Sequence, residues 1–305
     1  MRRKNPLIFW ALIVVPLFVL GLCRSNPNQI ISVDGFEREY ILYVPSAYDG
    51  TTPYPLVFAL HGGLGDGGMM YRSTSFKELA DKEQFIVVYP SGLKRGWSDG
   101  RGVNSSAADG VDDVAFLVAL LDHIEAQYNI DPNRVYTTGI SNGGFMSQRL
   151  LCDASDRFTA GVIVTAAMTT FLHETCHPSE PVAIMYINGT DDPAVPYDGG
   201  MVVSDRGEVI STDNSVNWWV EANNCEAEPA ETSTLDDDPN DKTSIETSVY
   251  SDCDAGMDVV LLKVVGGGHH WPGDVQYLPK SIIGIPTKEI RGAETAWEFM
   301  KTYSK

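Results

Sequence analysis

Val135-Tyr136-Thr137-Thr138-Gly139-Ile140-Ser141-Asn142-Gly143-Gly144 runs from an apolar, β-prone segment through a glycine-flanked serine into a helix-like stretch. That order places Ser141 on a sharp strand-to-helix turn, the shape of a nucleophile elbow. Gly139 and Gly143, two residues to either side, allow a strained bend with no Cβ to clash, which lifts the serine hydroxyl clear of the sheet edge. The pattern G-x-S-x-G is weak by itself and also describes a plain Gly/Ser-rich loop. Its weight comes from the segments around it.

Residues 56–60 and 85–89 are short, continuously apolar runs rich in β-branched and aromatic side chains, the composition of strands buried on both faces. Residues 36–44 alternate like an outer strand, and Val33-Asp34-Gly35 before them supplies a hairpin-type turn. Further strands are expected at 134–138, 161–165, 182–187 and 259–265. Helices are expected at 74–82, at 213–223 and at 287–303. Val114, Leu117, Val118, Leu121, Ile124 and Tyr128 recur at three- and four-residue steps, an amphipathic helix that Asp112 or Asp113 can cap. Alternation of strand and helix is the signature of an α/β fold, a mainly parallel central sheet flanked by helices. The stretch 198–258 departs from it. Its polar part, 226–243, carries Asp236-Asp237-Asp238 and reads as a solvated acidic insertion, with spacing unlike an EF-hand loop.

A chain of 305 residues with 43% hydrophobic content can bury one large core, so residues 24–305 are read as a single domain. The formal net charge of -19 argues against nucleic acid and anionic membrane surfaces as partners, since phosphate neutralisation needs clustered Lys and Arg. Residues 1–23 read as an export leader: Met1-Arg2-Arg3-Lys4 precedes an uncharged apolar run from Leu7 to Leu22, short for a membrane span of about 20 residues. Leu20-Gly21-Leu22-Cys23 resembles a bacterial lipoprotein box, although Leu22 stands where small residues are usual. The expectation is a secreted or cell-envelope protein, with a lipid on Cys23 as its alternative membrane attachment. Beyond Cys23 four cysteines remain, which allow three connectivities. Cys152 with Cys176 and Cys225 with Cys253 is the expected pairing, because each pair brackets one local segment. No clustered Cys/His spacing suggests a metal, and no cofactor is expected.

A serine hydroxyl needs a neighbouring base, and histidine is the side chain suited to accept its proton near neutral pH. His269 follows the strand at 259–265 and the flexible Gly266-Gly267-Gly268; His270, next to it, is a rival with the opposite orientation in extended backbone. The orienting carboxylate should follow the strand at 182–187, where Asp191 and Asp192 are both candidates. His61-Gly62-Gly63-Leu64-Gly65 follows the strand at 56–60, so the Gly63 and Asn142 amides are the candidate oxyanion donors, with His61 as a loop buttress. A phosphate loop is the competing reading of these glycines, but its lysine is missing. Serine, acid and histidine in that order, each in a loop after a strand, is the arrangement of an α/β-hydrolase fold.

With these residues placed, the chain resembles the secreted polyhydroxybutyrate depolymerase and feruloyl esterase family from about Gly35 onward. The resemblance rests on Leu60-His61-Gly62-Gly63, Val88-Tyr89-Pro90-Ser91-Gly92, Trp97-Ser98-Asp99-Gly100-Arg101, Gly139-Ile140-Ser141-Asn142-Gly143-Gly144, Asn188-Gly189-Thr190-Asp191-Asp192-Pro193 and Gly267-Gly268-His269-His270-Trp271-Pro272-Gly273. It implies Ser141 as nucleophile, Asp192 as carboxylate and His269 as base, and the same cysteine pairing. Asn188 departs from a frequent histidine, and His270 from a small polar residue. Trp97, Tyr197 and Trp271 lie in segments expected to converge at the sheet's C-terminal edge, as substrate-binding aromatics or as loop packing. Arg101 is expected to meet one of the many acidic side chains, or else a substrate carboxylate. The expected function is a serine esterase acting on hydroxyalkanoate oligomers or on feruloyl and acetyl esters of plant polysaccharide. Acyl transfer with the same triad, a peptidase, and a non-catalytic surface lipoprotein are the rivals.

Overall fold

The computed structural model describes residues 28–103, 110–274 and 278–305. The leader and Cys23 lie outside the described residues. Asn28–Val33 (β1) and Phe36–Tyr43 (β2) form an antiparallel hairpin across Asp34 and Gly35, both at positive φ. Tyr54–Leu60 (β3), Ile86–Pro90 (β4), Ile130–Ile140 (β5), Ala160–Val164 (β6) and Ala183–Gly189 (β7) follow. The two-residue strands Gly200–Met201 (β8) and Glu208–Val209 (β9) pair only with each other. Glu231–Leu235 (β10), Ser244–Tyr250 (β11) and Val259–Val265 (β12) complete the set. Ten strands form one sheet in the order β1-β2-β4-β3-β5-β6-β7-β12-β11-β10. Its centre, β4 to β12, is parallel, and antiparallel pairs close both edges.

Every residue of β3, β4, β6 and β7 is buried, which is why these strands read as unbroken apolar runs rather than alternating ones. Helices cover both faces. Asp113–Glu125 (α3), Asn142–Asp153 (α4) and Thr212–Ala222 (α6) pack on one side through Phe116, Leu120, Phe145, Leu150 and Trp219. Phe76–Glu83 (α2) and Gly292–Met300 (α8) pack on the other, where Phe85 stacks on Trp297 at 3.9 Å. The short helices Gly67–Ser73 (α1), Thr170–Thr175 (α5) and Lys280–Ile283 (α7) sit in connections.

Three expectations shift. The helix expected at 74–82 starts at Phe76, because Thr74 is extended and ends a separate helix, α1, whose N-cap Asp66 accepts from the Met69 amide at 2.7 Å. The last helix starts at Gly292 rather than residue 287, its amide tied to the Pro272 carbonyl at 2.8 Å. The polar stretch 226–243 is not only loop: it contributes β10, whose side chains are mostly exposed, so an edge strand carries the composition of a solvated segment. Both expected disulfides form. Cys152–Cys176 joins the end of α4 to the C-cap of α5, and Cys225–Cys253 closes the segment holding β10 and β11. Asp112 caps α3, accepting from the Ala115 amide at 3.0 Å, while Asp113 turns inward to a buried pair with Arg38.

Candidate active site

Strand β3 leads to β4 on one side, yet its other neighbour is β5, so the strand order reverses at β3. Open α/β sheets hold ligands in the crevice outside the carboxyl ends of strands at such a point. Four loops meet there: Gly62-Gly63 after β3, Ser141 after β5, Asp192 after β7 and His269 after β12.

Ser141 holds φ 55° and ψ -120°, backbone that a residue with a Cβ adopts only under constraint. The constraint is visible: its amide donates to the Val164 carbonyl and its carbonyl accepts from the Phe145 amide, both at 2.9 Å. The flanking glycines serve the bend by lacking a Cβ, as expected, although neither is at positive φ. A Cβ on Gly143 would sit 2.3 Å from the Leu60 carbonyl oxygen, and one on Gly139 would sit 2.4 Å from the Gly143 backbone. They allow α4 to press onto the sheet directly behind the serine.

Because β7 and β12 are parallel neighbours, the loops leaving them run side by side. His269 Nδ1 lies 2.7 Å from Asp192 Oδ2, and the other carboxylate oxygen accepts from the Ala194 and Val195 amides at 2.7 and 2.9 Å. Asp192 is thus held from both oxygens, and a proton on Nδ1 leaves the lone pair on Nε2. The rivals are placed elsewhere. Asp191 is exposed and accepts from Thr190 Oγ1 at 3.2 Å. His270 lines a separate narrow crevice, its Nε2 against the Gly284 carbonyl at 2.8 Å, and burial lowers its pKa.

Ser141 and His269 line one cleft of about 330 Å³, together with Gly62, Gly63, Asn142, Arg206 and Trp271. Exposed apolar side chains ring it, among them Leu64, Val203 and Ile282. His61 is buried under the Gly62-Gly63 loop: its Nε2 accepts from the Gly92 amide at 2.9 Å and its Nδ1 donates to the Gly62 carbonyl at 2.7 Å. Desolvation pushes its pKa down to about 4, so it stands there as a neutral buttress.

The expected aromatics divide. Trp271 lines the cleft. Trp97 does not: its ring is fully buried against His61, and its indole N–H donates to the His61 carbonyl at 2.9 Å. Tyr197 also lies off the cleft wall, its hydroxyl donating to Asp213 at 2.6 Å. Both supply loop packing, because the chain turns their rings inward beneath the loops they were expected to decorate. Arg101 meets Asp99, as its acidic surroundings suggested, through Nε at 3.1 Å and Nη2 at 2.6 Å. Asn188 is tied inside the protein, pairing with the Ala166 backbone at 3.1 and 2.9 Å and with Thr212.

Two site residues escaped the sequence reading. Asp99 accepts from Asn142 Nδ2 at 2.5 Å while the Trp97 amide donates to Asn142 Oδ1 at 2.8 Å, which clamps the residue after the serine. The quoted Trp97-Ser98-Asp99-Gly100-Arg101 block contained the signal without assigning it. Arg206 reaches the cleft from the β8–β9 turn, in a segment with no recognisable motif. Among the described residues no group of three or more His, Cys, Asp or Glu side chains is arranged to hold a metal ion.

The family model of esterase PHB depolymerase matches residues 38–204. The chain is 29% identical over 280 residues to the putative esterase NocK of Nocardia uniformis subsp. tsuyamanensis, covering 88% of this chain and 81% of that protein. It is 30% identical over 192 residues to a probable feruloyl esterase C of Aspergillus niger, covering 60% of this chain and 66% of that one. Among solved structures, the acetyl xylan esterase from Aspergillus awamori matches 90% of this chain and 98% of its own with a TM-score of 0.61 at 15% identity, a likeness of fold.

Proposed function

From the premise that this chain belongs to the esterase PHB depolymerase family and is a carboxylic ester hydrolase, we propose that it works through Ser141, His269 and Asp192 by way of an acyl-enzyme. The observation that carries this reading is the 2.7 Å contact of His269 Nδ1 with a doubly anchored Asp192, on the same cleft as the strained Ser141. Ser141 Oγ attacks the ester carbonyl as its proton passes to His269 Nε2. The carbonyl oxygen becomes an oxyanion that the Gly63 and Asn142 amides receive; at the start of α4 the Asn142 N–H has no partner within the helix. Collapse expels the alcohol, which takes the proton from Nε2. Water, deprotonated in turn by His269, attacks the acyl-serine and releases the acid. Asp192 keeps the proton on Nδ1 and stabilises the imidazolium.

Hydroxyalkanoate oligomers, or feruloyl and acetyl esters of plant polysaccharide, are the proposed substrates. An apolar-rimmed cleft of about 330 Å³ supports an acyl group with apolar surface, and Trp271 supplies an aromatic wall for it. The decisive measurement is hydrolysis of a chromogenic butyrate by the native protein and by Ser141→Ala. Native turnover with fluorophosphonate labelling, both lost in the variant, is expected; equal rates would end the reading. A panel of methyl ferulate, short acyl esters and hydroxybutyrate oligomers ranks the substrates.

Export is proposed on the basic-then-apolar start and the two disulfides, which suit an oxidising compartment. The N-terminus of the mature protein distinguishes a secreted chain from one lipidated on Cys23.

A further inference from the structure

The cleft carries two arginines in very different electrical states. Arg101 is cancelled: its guanidinium forks onto buried Asp99 and lies 4.0 Å from the Phe145 ring. Arg206 is exposed, and its guanidinium makes no hydrogen bond or ion pair among the described residues. Its Nη1 stands 3.7 Å from where a side chain on Gly63 would begin, so the charge sits over the loop proposed to receive the oxyanion.

This cation is presented by a fixed arm. Ser204, Asp205 and Gly207 all take positive φ, which turns the chain tightly between β8 and β9. The Arg206 amide donates to the Val202 carbonyl at 3.2 Å, and its carbonyl accepts from Arg101 Nη1 at 2.8 Å. Arg101 binds Asp99, and Asp99 binds Asn142, so the backbone of Arg206 is tied by three links to the residue beside Ser141. A protein of net charge -19 repels anions in general. A guanidinium without an ion pair at its cleft offers an anion a local partner, and the planar fork suits a carboxylate.

We propose that Arg206 is a specificity residue for esters that also bear a free carboxylate a few bonds from the scissile carbonyl. The inference rests on the esterase reading and deepens it. The carboxylate has two sources: the leaving alcohol, as at the acid end of a hydroxyalkanoate oligomer, or the acyl group, as in a hemiester of a dicarboxylic acid. Polysaccharide esters lacking an acid group would forgo this contact.

The test compares kcat/KM for each acid with its methyl-capped counterpart, using the dimer of 3-hydroxybutyrate for the alcohol side and a succinate hemiester for the acyl side. Native protein is expected to prefer at least one of the free acids over its capped form by about tenfold, as a charge-assisted hydrogen bond would give. Arg206→Gln should bring that ratio to about one through KM, Arg206→Lys should restore part of it, and added salt should compress it in the native protein. The pair showing the preference identifies the source. Capped esters hydrolysed as fast as both acids, or a preference that survives Arg206→Gln, would overturn the proposal while leaving the esterase reading intact. No turnover of any of the four esters by a protein that hydrolyses the chromogenic butyrate would overturn the proposal alone; loss of the butyrate activity as well would overturn both.

Discussion

Asp192 and Asp191 are chemically identical neighbours with opposite surroundings, one held by two amides and an imidazole, the other in solvent. Asp192→Asn is expected to lower kcat by about 10⁴-fold with the fold retained, since the amide favours the wrong imidazole tautomer. Asp191→Asn should stay within about twofold, as surface changes do; steady-state kinetics on one chromogenic ester checks both. His61 makes a separate prediction about acid. Folding holds its pKa near 4, whereas the unfolded imidazole titrates near 6.5. The unfolded chain therefore takes up a proton that the folded protein refuses. The stability contributed by neutral His61 is complete above about pH 6.5 and is lost as pH falls towards about 4, roughly 3 kcal/mol in all. Urea midpoints at pH 7 and pH 4.5 should show this loss, and His61→Gln, less stable at the start, should lose less over the same interval.

Helix α3 and strand β2 are joined by an element-to-element contact that the helical period could not announce. Asp113 sits at the first position of α3 beside the capping Asp112, and both looked equally suited to the cap. Only one can face the amide of Ala115. The other turns inward to Arg38, which lies 3.7 Å over the Phe116 ring, and to the Ser98 amide at 2.6 Å. Desolvation pushes the Arg38 pKa down and the Asp113 pKa up, so each charge depends on the other to remain buried. Asp113→Asn is expected to cost about 3 kcal/mol in denaturant unfolding, because it strands the guanidinium in the core. The double variant Arg38→Met with Asp113→Leu should recover much of that loss. Strand β10 was obscured for the converse reason. An edge strand facing water keeps Glu231-Thr232-Ser233-Thr234 without an energetic conflict, so its composition resembles a loop.

Across the whole molecule, the sheet fixes the spacing of four loops, and the disulfides restrain one helix pair and the segment that forms one edge of the sheet. Bonds closing 24 and 28 residues should each contribute about 3 kcal/mol, mainly by restricting the unfolded chain. Replacing either cysteine pair by serine should lower the thermal midpoint, and calorimetry under oxidising and reducing conditions measures it. Sequence alone determined the alternation of buried strands and helices, the serine on its turn and the order of loops carrying serine, acid and histidine. Those features are local: a run of apolar residues or a glycine pair states its own geometry. The residues by themselves left Asp191 and Asp192 open, and only the family resemblance favoured Asp192. Tertiary structure sets Asp192 against His269 and Asp191 in solvent, turns Trp97 and Tyr197 inward while Trp271 lines the cleft, and has Asp99 grip Asn142. It also brought Arg206 to Gly63. These contacts join residues far apart in the chain, and their partners are set by strand order and register, which no local period encodes.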